Sequence, residues 1–155
     1  MTKTHYLTAL LLLLVFAAGP VSAELQLETR LTMADVENDR KTMVMATVAP
    51  SPQQSKEFWE IYDAYREEMG ELNTRTAKVV EEYVASYAAL NDDQAEDMLK
   101  ELTTVEVKKV KTRQKYAKKL SKVLIPKQLL RWLQTENKMD ATIALAASAL
   151  IPLDR

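Results

Sequence analysis

Cysteine is absent from the 155 residues, histidine occurs once, as His5, and glycine only twice, as Gly19 and Gly70. Without cysteine there is neither a disulfide nor a thiol nucleophile. A single histidine at the extreme start rules out Ser-His-Asp and Cys-His catalysis, and two distant glycines rule out a glycine-rich loop around a phosphate. Zinc and copper sites would lack their usual nitrogen and sulfur ligands. The methionines from Met33 to Met139 are scattered over helical segments, which suits adaptable core packing better than a copper box. Carboxylates, lysines and tyrosines remain, but they form no catalytic pattern. The expectation is a protein that is not an enzyme and uses neither a metal nor a cofactor.

Glycine and proline are also scarce where they occur, and their placement at the start is informative. "MTKTHYLTALLLLLVFAAGPVSAE" has a short polar beginning, an apolar core from Leu7 to Ala18, the breaker Gly19-Pro20, and small residues at Val21 and Ala23. That layout is a secretory signal peptide, with cleavage expected after Ala23. Its apolar core is too short for a permanent span, which needs roughly 20 residues, so no stable membrane insertion is expected. Residues 1–23 are therefore read as a removed leader and residues 24–155 as one exported domain, in the periplasm. Cleavage would take His5 and Gly19 away, leaving Gly70 as the only glycine.

So few breakers imply long helices. Four junctions resemble one another: "LTMAD" at 31–35, "PSPQQ" at 50–54, "LNDDQ" at 90–94 and "LIPKQ" at 124–128. In the first three, Thr32, Ser51 or Asn91 is placed as an N-cap, able to accept a hydrogen bond from a first-turn amide. Asp35, Gln54 or Gln94 follows three residues later to complete a capping box. In the fourth, Ile125 occupies the cap position, and the helix start rests on Pro126, which suits a first turn. Helices are expected at about 33–48, 52–89, 92–122 and 126–149. The fold class is all-α, with four helices, the two long ones forming an antiparallel or hooked hairpin of coiled-coil character that dimerises. Gly70, inside the second helix, suggests a bend or a close helix crossing there. Phe58, Tyr62, Tyr65, Met69, Leu72 and Val79 form an apolar stripe at three-and-four spacing along that helix.

Charge is distributed unevenly. Residues 24–106 carry 19 acidic and 8 basic groups, whereas residues 107–131 carry ten lysines and arginines and no carboxylate. One reading pairs this basic third helix with the acidic second helix across the hairpin, at roughly 0–1 kcal/mol per exposed pair. The other presents it to a partner. Nucleic acid is not expected, because an exported chain meets little of it and no recognition motif is visible. A membrane surface would require a cleaner apolar face, which leaves protein clients. Lys108, Lys111, Lys115 and Lys118 are the candidate client-binding residues, beside Phe58, Trp59 and Trp132. Phe58 and Trp59 lie about 100° apart on a helix, so both cannot enter one narrow seam. Glu136, on the apolar side of the fourth helix near Arg131 and Lys138, reads as a partly buried ion pair or amide bond that sets helix register.

The repeated leucine-to-glutamine junctions, Leu90–Gln94 and Leu124–Gln128 with Pro50–Gln54 less closely, on an exported, cysteine-free helical chain, resemble the LTxxQ family of bacterial periplasmic proteins. The resemblance implies a small antiparallel helical homodimer that acts as an ATP-independent chaperone in the envelope stress response. Its partners would be unfolded or misfolded envelope proteins, or a stress-sensor protein. The alternative, from another class, is a structural or scaffold helical envelope protein with one dedicated partner.

Overall fold

The computed structural model describes residues 19–152, with side chains from Ala34 onward. The expected apolar leader core, Leu7 to Ala18, lies outside the described residues. All regular structure among the described residues is helical: α1 (Gly19–Val48), α2 (Pro52–Ser86), a single 3-10 turn (Tyr87–Ala89), α3 (Asp92–Leu120) and α4 (Pro126–Ser148). No helix among these residues is long and apolar enough to cross a membrane.

Three helix starts fall where the junctions place them. At α2, Ser51 accepts a hydrogen bond from the Gln54 amide while Gln54 accepts one from the Ser51 amide, and Asn91 and Gln94 do the same at α3. At α4, Ile125 has no side-chain acceptor, so only the reverse bond is made, from the Ile125 amide to Gln128 Oε1 at 3.2 Å. Thr32 is not a cap. Helix α1 runs unbroken from Gly19 through Thr32 to Val48, across the expected cleavage point after Ala23. The physical reason is that no helix breaker lies between Pro20 and Pro50, and a capping residue ends nothing by itself. Gly70 marks no close crossing, since a Cβ built there would touch nothing within 4 Å.

Helix α1 lies along α4 and α2 lies along α3. Both pairs run in opposite senses: Arg40 meets Glu136 while Thr47 meets Thr135, and Glu68 meets Lys115 while Arg75 meets Glu101. The core sits where all four helices overlap. It is built on an aromatic ladder, with Phe58 stacked on Tyr62 at 5.8 Å between ring centres and Tyr65 edge-on to Tyr116 at 5.6 Å and to Trp132 at 5.2 Å. Val44, Val48, Val105, Leu120 and Leu124 close around it. Beyond this overlap, toward residues 87–91, α2 and α3 continue as a two-helix arm.

The two halves are built alike. Gln54 and Gln128 are 74 positions apart, as are Tyr62 and Glu136, and both pairs touch. Phe58 and Trp132 share that interval. Arg40, Val44 and Val48 are buried one residue in four along α1, as Thr112, Tyr116 and Leu120 are along α3. The resemblance among the junctions therefore extends to how α1–α2 and α3–α4 are packed.

Candidate functional site

Two polar clusters organise the bundle, and the first grows from the glutamines. Each uses its side-chain oxygen on its own helix start, which leaves its amide nitrogen free to donate elsewhere. Gln54 Nε2 donates to the Val123 carbonyl at 2.7 Å, in the turn that precedes α4, and Gln128 Nε2 donates to the Ala49 carbonyl at 3.0 Å, in the turn that precedes α2. The two amides also bond each other at 3.1 and 3.2 Å. Ala49 has φ 47°, a left-handed conformation that costs an alanine roughly 1–2 kcal/mol. The Gln128 bond to its carbonyl helps hold that turn.

The second cluster is ionic and buried. Glu136 is fully buried and receives Arg40 Nη1 at 2.9 Å, the Tyr62 hydroxyl at 2.9 Å and Arg66 Nη1 at 3.5 Å. Arg40, itself buried, also bonds Glu37 and Asp140, Arg66 bonds Glu37, and Arg113 Nη2 donates to Asp140 at 2.7 Å. Three arginines face three carboxylates, drawn from all four helices. Burial pushes the Glu136 carboxyl above the ordinary carboxylate range, with Arg40, Arg66 and Tyr62 pulling against it. Burial is likewise the largest influence on Arg40, but Glu136, Glu37 and Asp140 together outweigh it and hold the guanidinium charged. The Tyr65 hydroxyl is pushed up to about 12 by burial and by the nearby Glu136 charge. Glu136 is thus a register-setting buried ion, but its partners are distant in sequence. Arg131 and Lys138 are exposed and do not reach it.

On the surface, Glu68 accepts from Lys115 at 2.6 Å and from the Thr112 hydroxyl at 2.8 Å, and Lys115 holds its carboxyl below the ordinary range. A linkage prediction follows from these two glutamates. The stability that Glu68 contributes is present above the ordinary carboxyl range and is lost as pH falls through its depressed folded value. Glu136 runs the other way: between its raised value and the ordinary range, the folded protein takes up a proton before the unfolded chain does. Carboxyl-carbon NMR shifts followed through an acid titration should show Glu136 taking up its proton at higher pH than Glu68.

The proposed client residues are not brought together. Lys115 is committed to Glu68, whereas Lys108, Lys111 and Lys118 are exposed and make no ion pair among the described residues. Phe58 and Trp132 are fully buried in the aromatic ladder and are absent from any surface of this bundle. Trp59 is half-buried, with Lys41 Nζ 5.7 Å from its ring centre. The split between Phe58 and Trp59 follows from their 100° separation on the helix; Trp132 goes inside because it stands where Phe58 stands in the other half.

No family model, curated protein or solved structure matches this chain.

Among the described residues, no group of three or more His, Asp or Glu is placed to hold a metal ion. The feature that sequence reasoning missed lies at the α3–α4 turn. Ile125 and Leu130 are both 58 % exposed, within a few residues of Lys122, Lys127 and Arg131, all exposed. The signal was present in "LIPKQ": an isoleucine at a cap position has its backbone outside the helix and no neighbouring turn to cover it. The second open feature is a groove of about 720 Å³ between α2 and α3 in the arm, lined by Arg75, Val79, Met98 and Glu101 among others. The Arg75–Glu101 ion pair, at 2.6 Å, spans it.

Proposed function

We propose that the chain is an exported, periplasmic, ATP-independent holdase or envelope-stress adaptor. It binds non-native envelope proteins weakly, through apolar residues set among cations. The observation that carries this reading is the exposed pair Ile125 and Leu130 among Lys122, Lys127 and Arg131. Unfolded chains offer apolar and acidic segments together, and such a patch engages both. Long-range attraction by the lysines speeds encounter, and apolar burial prolongs contact. The leader-like start, the LTxxQ resemblance, and a hooked α2–α3 hairpin within a homodimer belong to the same reading.

The test is light scattering from a reduced, aggregating substrate protein. The purified chain is expected to slow aggregation, and less so at high salt, where charge attraction is screened. Ile125→Asp with Leu130→Asp, both at exposed positions, should remove most of the protection while leaving helicity unchanged. No protection at a large molar excess overturns the holdase reading. Crosslinking in the envelope that recovers a single protein rather than many would identify the scaffold alternative instead.

A further inference from the structure

The last turns of α4 differ from the rest of the surface. From Ala141 to Leu153 the sequence carries no charged residue. The inner face of α4 continues the core stripe, from Trp132 and Met139 to the half-buried Ile143, Ala147 and Leu150. Its outer face carries Ala141, Ala144, Leu145 and Ala149, all exposed. Leu145, at 76 %, is the most exposed large apolar side chain among the described residues.

The polar groups of this segment are satisfied from within. Thr142 Oγ1 donates to the Lys138 carbonyl at 3.0 Å, and Ser148 Oγ donates to the Leu145 carbonyl at 2.7 Å. The carbonyls of Ala146, Ala147 and Ser148 accept from the amides of Ala149, Leu150 and Ile151. The last four carbonyls of a helix ordinarily lack an intrahelical partner; here all four, Leu145 to Ser148, are paired inside the segment. The end of α3 is closed in a similar way, but it stands among Lys118, Lys119 and Lys122. The end of α4 joins internal pairing to the absence of charge.

We infer that this end of α4 rests on a lipid bilayer, with Leu145 and the turns around it among the acyl chains just below the headgroups. Acyl chains offer no hydrogen bonds, so a segment enters them only if its own polar groups are already paired. That is the state found here. A protein interface ordinarily carries hydrogen bonds beside its apolar contacts, but Thr142 and Ser148 are both turned onto their own helix. The contact is peripheral: the uncharged run is shorter than the roughly 20 residues a span needs, and no described helix is long and apolar enough to cross.

Position supports the same assignment. Helix α1 runs antiparallel to α4, so Gly19, the start of α1, lies toward the end of the bundle where α4 stops. On the reading above, the leader joins the chain at that end and holds it at the membrane until it is removed. Ile125 stands at the opposite end of α4, twenty residues or about 30 Å from Leu145. Lipid contact at one end therefore leaves the apolar and cationic patch facing away from the bilayer, open to clients. The lipid contact does not need the holdase reading, and its experiment contains no client, so the two can fail separately.

The absence of native cysteine lets the test be made on the full chain with one labelled position at a time. An environment-sensitive fluorophore on Ala149→Cys should shift to the blue with phosphatidylcholine vesicles and be quenched by lipids spin-labelled near the top of the acyl chain. Because no charge takes part, the shift should be the same at low and high salt. The same fluorophore on Thr104→Cys or Lys127→Cys should stay in water, even where the leader holds the chain on the vesicle. Leu145→Asp, at an exposed position, should leave helicity unchanged. It should weaken the partition reported from Ala149→Cys by about tenfold or more, the effect of withdrawing one leucine from apolar burial. A fluorophore on Ala149→Cys that stays in water on vesicle-bound protein overturns the proposal. So does a response that requires phosphatidylglycerol and disappears in salt, since the lysines and not α4 would then be at the surface. A blue shift without vesicles that grows with protein concentration overturns it as well, because another copy of the chain would then cover this face.

Discussion

Replacing Glu136 by alanine is expected to destabilise the protein by about 3–5 kcal/mol, measured as the shift in urea unfolding followed by helical circular dichroism. The direct loss is three hydrogen bonds, but the larger part is what remains behind. Arg40 stays buried with its Nη1 unpartnered, the Tyr62 hydroxyl loses its acceptor, and Arg66 loses one of its two carboxylates. A small domain has about 5–15 kcal/mol in total, so the variant should be partly unfolded well below the melting temperature of the parent. Glu136→Gln keeps the shape and one acceptor oxygen and should fall between the two. The decisive comparison is Arg40→Met combined with Glu136→Leu. Removing both leaves neither Arg40 nor Glu136 as a buried charge without the other, although Tyr62 still lacks its acceptor, so the double variant should be markedly more stable than the sum of its single changes predicts. Simple additivity would mean that the two residues are not coupled as the geometry requires.

Trp132→Ala is the second large effect, expected at about 3–5 kcal/mol from lost apolar burial and the cavity left behind. The ring is fully buried and packs edge-on against Tyr65. The variant also separates core from surface. Trp132→Phe should retain much of the stability and, per folded molecule, all of the aggregation suppression, because the side chain does not reach the surface. A Trp132→Phe protein of parental stability that had lost client capture would put Trp132 back among the binding residues.

How much of this was legible from the amino acids differs from element to element. The starts of α2, α3 and α4 were readable because helix-start signals are local: a cap with a residue three positions later at α2 and α3, and Pro126 with Gln128 at α4, decide the helix end with almost no help from the rest of the chain. The stripe Phe58, Tyr62, Tyr65, Met69 and Leu72 was readable for the same reason, since periodicity marks the face of a helix. Thr32 failed because a cap signal without a breaker before it competes with a helix that is free to continue. Glu136 was legible as a buried, register-setting ion, but its partner was not, because Arg40 lies 96 residues away in sequence. The proposed client residues were the least legible. Burial of Trp132 depends on which face α4 turns toward α2, and exposure of Ile125 depends on nothing packing over its turn.

The amino acids alone determined that the described chain would be helical, where three of its helices would start, and which side-chain types it lacks. These follow from hydrogen bonds and residue types that act within a few positions. Tertiary structure alone decided which charges meet, joining Arg40 to Glu136 and Gln54 to Gln128. It also decided that Phe58 and Trp132 go inside while Ile125, Leu130, Leu99, Val107 and Val110 stay out. The reason is physical: a charge or an aromatic ring has the same local preferences wherever it stands. Only the crossing of helices distant in sequence determines whether it faces a partner, the core or water.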